Sequence, residues 1–321
     1  MSDTMTPCES HVQSPLLTIF DILICLLVAA SYIPQLSRIA VDRQTTGISP
    51  WYIVLVTISS STHLAARLVN GYGQLAVDCV RGGQLSGWKA FSALVIYLQL
   101  AVQWICAVVL LVLYVRFRDG NQDGDSPEDA PATQTDTGDS YVSAQDQEPC
   151  DAVPHAAMSN KAILATVITH AVIILPVAFT LFILGRPDDD QEGFGSEMGY
   201  AFAQQILHAT FALSGLATSL SSAVPAVHLI VARSRSGYGL GSLSVVGLGL
   251  QFLAFVALGV SQGVRLGWPR VGDASDPPLS VYAWFLLVNG PAVGFVALGV
   301  GQLVVMGVAL RFGAAEGQVQ L

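Results

Sequence analysis

Charged side chains are scarce in this sequence. Of its 321 residues, 12% are charged and 52% are hydrophobic, whereas an ordinary soluble protein carries about 25% charged residues. The mean hydropathy is +0.57. A water-soluble globular protein is therefore excluded. Lys and Arg together number only 14 and form no basic patch, so a nucleic-acid-binding surface is not expected either.

Motifs of catalysis and metal binding are also missing. The sequence contains no nucleophile elbow, no glycine-rich phosphate loop and no Cys/His spacing typical of zinc. We therefore expect no enzymatic activity, no cofactor and no metal. Five cysteines are too few for a disulfide framework. Cys25 and Cys106 lie in apolar runs. Cys8 and Cys79 fall on the same predicted side of the membrane, so one disulfide bond between them is possible.

Seven apolar segments are each long enough to cross a lipid bilayer, which takes about 20 residues per helix. Backbone polar groups in hydrocarbon must be satisfied within the segment, so each segment is predicted to be a helix. The segments lie near Leu16–Leu36, Trp51–Val69, Trp88–Val115, Ala162–Leu184, Ala201–Val224, Leu243–Val264 and Val281–Leu310. The sequence thus predicts an all-α, seven-transmembrane-helix protein whose first partner is the bilayer.

An acidic stretch interrupts these segments after the third. From Asp119 to Asp151 there are ten acidic residues and no Lys or Arg, and the other 13 of the 23 acidic residues are balanced by 14 basic ones. The stretch is rich in Pro, Gly, Ser and Thr and has little to bury, so residues 116–160 are predicted to be a disordered linker. It is either a plain solvated linker or a binding segment for a cytosolic partner.

The distribution of Lys and Arg predicts the orientation. Eight of them lie beside the loops that follow helices one, three and five and in the tail, against six on the other side, and residues 1–15 contain none. Cytosolic loops carry an excess of Lys and Arg. Segment 1–15 is therefore predicted to be lumenal or extracellular, and the tail 311–321 cytosolic.

Two stretches of the sequence are similar to each other. One is SYIPQLSRIAVDRQTTGIS at 31–49, and the other is SSAVPAVHLIVARSRSGYGLGSLS at 221–244. Each has a proline near a helix end, then two arginines, then a glycine, with a spacing of 13 from Pro34 to Gly47 and 12 from Pro225 to Gly237. This repeat predicts two triple-helix bundles, at 16–115 and 200–310, joined by a linking helix at 161–184. A lone linking helix makes the two copies parallel.

The first stretch resembles a known motif. Pro34-Gln35 followed by Gly47, Ile48 and Ser49 is similar to the PQ-loop proteins, which include cystinosin-like amino-acid transporters and share a fold with SWEET sugar transporters and KDEL receptors. The second copy is degenerate because Ala226 follows its proline. The resemblance implies a central substrate path between the bundles and a vacuolar or lysosomal membrane. The aspartate that couples protons in cystinosin-like transporters has no counterpart near Val246.

The two motif prolines are candidate hinges. Proline has no N–H and clashes with the carbonyl four residues back, so Pro34 frees the carbonyl of Ala30 and Pro225 frees that of Ser221. We expect Gln35 to donate to a freed or neighbouring carbonyl. Helices one and five could then swing and gate the path, although static kinks are the alternative.

Polar side chains at membrane depth mark a candidate substrate path, because burying them in lipid is costly. Gln99 and Gln103 lie one turn apart on the third segment, and Asn289 lies on the seventh, where the SWEET-like fold has a sugar-binding asparagine. Trp104 could stack on a ring. Hydrogen bonds between helices, and packing for Trp104, are the alternative roles.

Three ionisable residues lie near the outer ends of helices one and two. We expect Asp21 to pair with Arg67 or His63, which would lower the cost of burying all three. The group is either a fixed ion pair or a proton site.

Two functional classes remain from the sequence. The first is a small-solute transporter working by alternating access, with an amino acid or a sugar as the solute implied by the resemblance. The second is a non-transporting seven-helix receptor, sorting protein or scaffold. The oligomeric state is not encoded in any pattern of the sequence.

Overall fold

The structure, a computed structural model, describes residues 14–43, 47–119, 159–184, 194–235, 243–265 and 290–313, with single positions at 8, 12 and 45. Every regular element in these ranges is a helix. The helices are α1 (Pro15–Asp42), α2 (Pro50–Val69), α3 (Gly71–Arg81), α4 (Gly87–Asp119), α5 (Asn160–Leu184), α6 (Phe194–Arg235), α7 (Val245–Arg265) and α8 (Gly290–Gly313).

All of these helices except α3 are long and apolar enough to span a membrane. The predicted fold class, an all-α protein with seven transmembrane helices, is confirmed. α3 was not predicted, because its 11 residues are too few to form a spanning run. α6 is longer than predicted, at 42 residues. Residues 281–289 of the seventh predicted segment lie outside the described residues, as does most of the acidic linker.

Local sequence explains where the first two membrane helices begin. Ser14 caps α1 by accepting from the N–H of Leu17 at 3.4 Å, and Pro15 occupies the first turn, where its missing N–H costs nothing. Ser49 and Pro50 occupy the corresponding positions at the start of α2, but the Ser49 side chain makes no capping hydrogen bond. α1 ends at Asp42, and the next residue, Arg43, caps it with a left-handed φ of 51°. Gly47, with φ of 91°, makes the turn toward α2.

Helix packing follows the predicted two-repeat pattern. In the first bundle α4 packs against both α1 and α2, and in the second α8 packs against both α6 and α7. The bundles meet along two seams, α1 against α7 and α2 against α6. If the two repeats are exchanged, α1 takes the place of α6 and α2 that of α7, so one seam is replaced by the other. Parallel repeats related by an axis along the membrane normal have this property.

The helices differ sharply in burial. In its most apolar window α2 is 89% buried, whereas α5 is only 17% buried. Large apolar side chains such as Val172 and Ile173 of α5 and Leu16 and Leu23 of α1 are exposed. A surface of this kind matches hydrocarbon rather than water. The chain is a multi-pass integral membrane protein with α2 at its centre.

Candidate functional site at the seam between the bundles

Buried polar side chains contact one another across the seams between the bundles. We call the face where α1 begins the N-terminal face and the face where α8 ends the C-terminal face. α1 and α6 run from the N-terminal to the C-terminal face, and α2 and α7 run in the opposite direction. Residues from the four helices therefore meet at several depths across the seams.

An ion pair joins α1 to α7 at the N-terminal face. The Asp21 carboxylate accepts from Arg265 Nε at 2.9 Å and from Arg265 Nη2. It also accepts from the Ser261 hydroxyl and from Gln99 Nε2 at 3.2 Å. Asp21 is 2% exposed. Breaking a buried pair of this kind leaves an uncompensated charge, so we infer that the pair is a strong tie between the bundles.

The prediction that Asp21 pairs with Arg67 or His63 was wrong. Neither Arg67 nor His63 binds it, because Arg265, one turn beyond Ser261 on α7, lies opposite Asp21 across the seam. Arg67 instead donates from Nε and Nη2 to Gln262 Oε1, at 3.2 and 3.1 Å. The three residues that we grouped as one ionisable site therefore belong to separate contacts.

His63 lies deeper, where α2 crosses α6 and α8. Its Nδ1 is 2.8 Å from the carbonyl of Ser59, and its ring packs on Phe295 with centroids 4.5 Å apart. Gly215 of α6 and Gly294 of α8 make room for the ring, since a Cβ at Gly215 would lie 2.5 Å from Nδ1. Nε2 is buried without a hydrogen-bond partner. His63 is thus a packed residue of the crossing and contacts no acid in the described structure.

Gln99 and Gln103, predicted either to line a path or to join helices, both bond to other helices. Gln99 Nε2 donates to the Asp21 carbonyl at 2.9 Å as well as to its carboxylate, and Gln103 Nε2 donates to the Ser60 hydroxyl at 3.0 Å. Both side chains are fully buried. Their amide oxygens have no hydrogen-bond partner. Trp104 is half-buried and packs against the apolar core.

Contacts at the C-terminal face use the first motif. Gln35 Oε1 accepts from the backbone N–H of Ser244, at the start of α7, at 3.1 Å. Arg38 Nη1 donates to the Leu243 carbonyl at 2.9 Å. In this contact Gln35 is the acceptor, because the start of a helix offers an N–H without an intrahelical partner; the expectation that Gln35 also donates to a carbonyl stays a prediction. Ala226 occupies the equivalent place in the second repeat and is buried.

A second polar group lies between α2, α7 and α8 toward the same face. Gln302 Nε2 donates to the Tyr52 hydroxyl at 2.9 Å, and that hydroxyl is 3.4 Å from Gln251 Oε1. All three side chains are buried. Sequence reasoning missed them, although Gln251 and Gln302 are amides within apolar runs and carry the same signal as Gln99.

The prolines of both motifs lie within continuous helices, Pro34 in α1 and Pro225 in α6. Gly237 and Asn289, which were also predicted to act in the motif and the path, lie outside the described residues. In the described parts of the chain, no group of three or more His, Cys, Asp or Glu is placed to hold a metal ion.

A disulfide joins the N-terminal segment to α3 at the N-terminal face. It links Cys8 and Cys79, whose Cα atoms are 5.7 Å apart. Both residues are buried in a small cluster with Ala76, Leu85 and Ala93. Cys25 and Cys106 are free thiols.

Comparison with known proteins gives no match. No family model, no curated protein and no solved structure matches the chain.

Proposed function

We propose that this protein is a small-solute transporter that works by alternating access between its two triple-helix bundles. The observation that carries the proposal is the placement of bundle-to-bundle contacts at opposite faces. Asp21, Ser261 and Arg265 form one set, the N-terminal gate. Gln35, Arg38, Leu243 and Ser244 form the other, the C-terminal gate. Buried polar side chains lie between the two sets.

The energetics of the gates suit exchange between two states. A typical hydrogen bond contributes only about 0.5–1.5 kcal/mol net, and bonds to charged groups about 1.5–3 kcal/mol. Each gate consists of a few such contacts, so opening one while the other stays closed costs several kcal/mol at most. Collective motions of domains relative to each other occur on the microsecond to millisecond timescale.

The resemblance to the PQ-loop proteins supports the same function. The motif glutamine, Gln35, belongs to the C-terminal gate, which gives the motif a mechanical role. The solute implied by that resemblance is an amino acid or a sugar. We also propose a vacuole-like or lysosome-like membrane.

The proposed orientation has support from the disulfide. Bridges such as Cys8–Cys79 persist in oxidising compartments and are rare in the cytosol. That favours a lumenal or extracellular N-terminal face and a cytosolic C-terminal face. The acidic linker would then be cytosolic and available to a cytosolic partner.

Locking each gate tests the proposal directly. Gln35→Cys with Ser244→Cys, and Asp21→Cys with Ser261→Cys, would be treated with a short thiol crosslinker in the Cys25→Ala, Cys106→Ala and Cys150→Ala background. Proteoliposomes would be loaded with an amino-acid and sugar panel for counterflow. We expect either crosslink to stop flux and its reversal to restore it. Flux that continues with both gates crosslinked would contradict alternating access.

A non-transporting receptor or scaffold is the second candidate. The observation that favours it is that Gln99 and Gln103 already bond to other helices, as structural polar residues do. A scaffold predicts no flux of any solute in folded protein. It also predicts that deleting residues 119–155 removes function, whereas a transporter should tolerate that deletion.

A further inference from the structure

The N-terminal end of the seam holds more buried positive than negative charge. Arg67 of α2 is 3% exposed there, and Arg265 of α7, whose side chain is 9% exposed, lies near the same end of the seam. Asp21 is bound to Arg265, and that pair is neutral. Among the residues that the structure describes, Arg67 therefore has no carboxylate partner.

Arg67 has only a neutral partner. Its guanidinium donates twice to Gln262 Oε1, and no carboxylate of the described chain lies within ion-pair distance. Gln262 Nε2, at the other end of the same amide, is buried and has no acceptor. The contact with Arg67 fixes which end of the amide is oxygen, so the unpaired atom is a true N–H donor. A guanidinium without an anionic partner and an amide N–H without an acceptor thus lie at one place.

Two ordinary forms of compensation are too weak. Arg67 lies in the last turn of α2, where the helix dipole favours a cation, but the dipole offsets only a small part of the cost of desolvating a guanidinium. Long basic side chains near a membrane surface often extend to water. Arg67 is only 3% exposed, so its charge does not reach solvent by that route.

We propose that Arg67 and Gln262 bind the carboxylate of a small organic anion, which is the class of solute that this seam carries. The inference rests on the proposed function and deepens it. A carboxylate bears a single negative charge, which matches the single excess positive charge. Its two oxygens match the two kinds of donor, because guanidinium groups pair well with carboxylates and an amide N–H satisfies a remaining lone pair.

The position of Arg67 is that of a binding group on a path between the bundles. Arg67 belongs to the first bundle and Gln262 to the second, so a ligand between them contacts both. Gln262 is three residues from Arg265 on α7, and residues three apart are neighbours on a helix. Binding of an anion would therefore act on the same turn of α7 that holds the N-terminal gate.

A matched solute panel tests the charge requirement. Full-length protein in nanodiscs of neutral lipid would be melted with lactate against lactamide, succinamate against succinamide, and glutamine against glucose. We expect at least one carboxylate to raise the melting temperature and to bind on the order of 10–100-fold more tightly than its amide. The same panel in nanodiscs with anionic lipid would distinguish a lipid headgroup, because a lipid occupant would raise the melting temperature without any solute.

Two variants give a second measurement that does not need a ligand. Gln262→Glu supplies an internal carboxylate beside Arg67, so it should raise the melting temperature of the ligand-free protein and abolish the response to carboxylates. The matched control is Gln251→Glu on the same helix, where no arginine lies adjacent and the melting temperature should fall. Arg67→Gln should lose the carboxylate response without loss of stability, and Arg67→Lys should keep part of it.

The outcomes separate this inference from the proposed function. If amides or sugars bind and are transported as well as carboxylates, the transporter proposal stands and the anion site is wrong. A Gln262→Glu protein that melts lower than the parent, or that still responds to carboxylates, would also overturn the site. A flat panel combined with no flux in folded protein would count against both.

Discussion

The carboxylate of Asp21 on α1 binds the guanidinium of Arg265 on α7, across the boundary between the two bundles. The two residues are 244 positions apart in the chain. This contact turns two separately predicted repeats into one closed unit at the N-terminal face. Asp21 is therefore paired with Arg265 and not with Arg67.

Removing one member of this ion pair should destabilise the protein strongly. Asp21→Asn or Arg265→Gln leaves a buried charge unpaired, and such changes typically cost about 3–5 kcal/mol. We expect the double variant to be more stable than either single variant. Thermal melts in detergent would measure the effect, with the exposed Asp42→Asn as the control. If the parent, the two single variants and the double variant were equally stable, the ion pair would not be a tie between the bundles.

The crossing at His63 should not tolerate a methyl group on Gly294. A Cβ there would overlap the imidazole, and overpacking of this kind costs about 1–3 kcal/mol. Gly307→Ala on the same helix is the matched control, because nothing lies within 4 Å of its Cβ position. Melting curves should show loss only for Gly294→Ala. Adding His63→Ala should recover part of that loss, and an absence of recovery would place the clash elsewhere.

Gln35 should be replaceable by an acceptor and not by an apolar residue. Its oxygen accepts from the Ser244 N–H, a role that Gln35→Glu keeps and Gln35→Ala loses. We expect slower counterflow for Gln35→Ala than for Gln35→Glu, since a lost hydrogen bond is worth about 0.5–1.5 kcal/mol. The lipid-facing Ile33→Ala is the control for changes on this part of α1. Equal flux in Gln35→Ala and the parent would remove Gln35 from the gate.

Reduction of the disulfide should lower stability. The bridge closes a loop with a sequence separation of 71 between Cys8 and Cys79, and such bridges typically contribute about 2–4 kcal/mol. Melts with and without a membrane-impermeant reductant should therefore differ in the parent. The difference should vanish in Cys79→Ser and persist in Cys106→Ala. In intact vesicles, the side from which the reductant acts also reports the orientation of the N-terminal face.

Several features of the fold followed from the sequence because they depend on composition alone. The number of apolar runs of spanning length determines the number of membrane helices, and the odd linking helix determines that the repeats are parallel. The short α3 escaped this reasoning, since 11 residues are fewer than a span requires. The length of α6 also escaped it, because the helix continues beyond the predicted apolar run at both ends, through residues 194–200 and 225–235.

The sequence by itself determined that this protein is an all-α membrane protein of seven spanning helices, and that Asp21 and Arg67 needed some means of compensation. Only the tertiary structure decided that Asp21 binds Arg265 and that Arg67 faces the neutral Gln262. The physical reason is that the length and apolarity of a helix place it in the bilayer but do not fix its rotation or depth. Those are set by side-chain packing between helices distant in the chain, and they decide which polar residues meet.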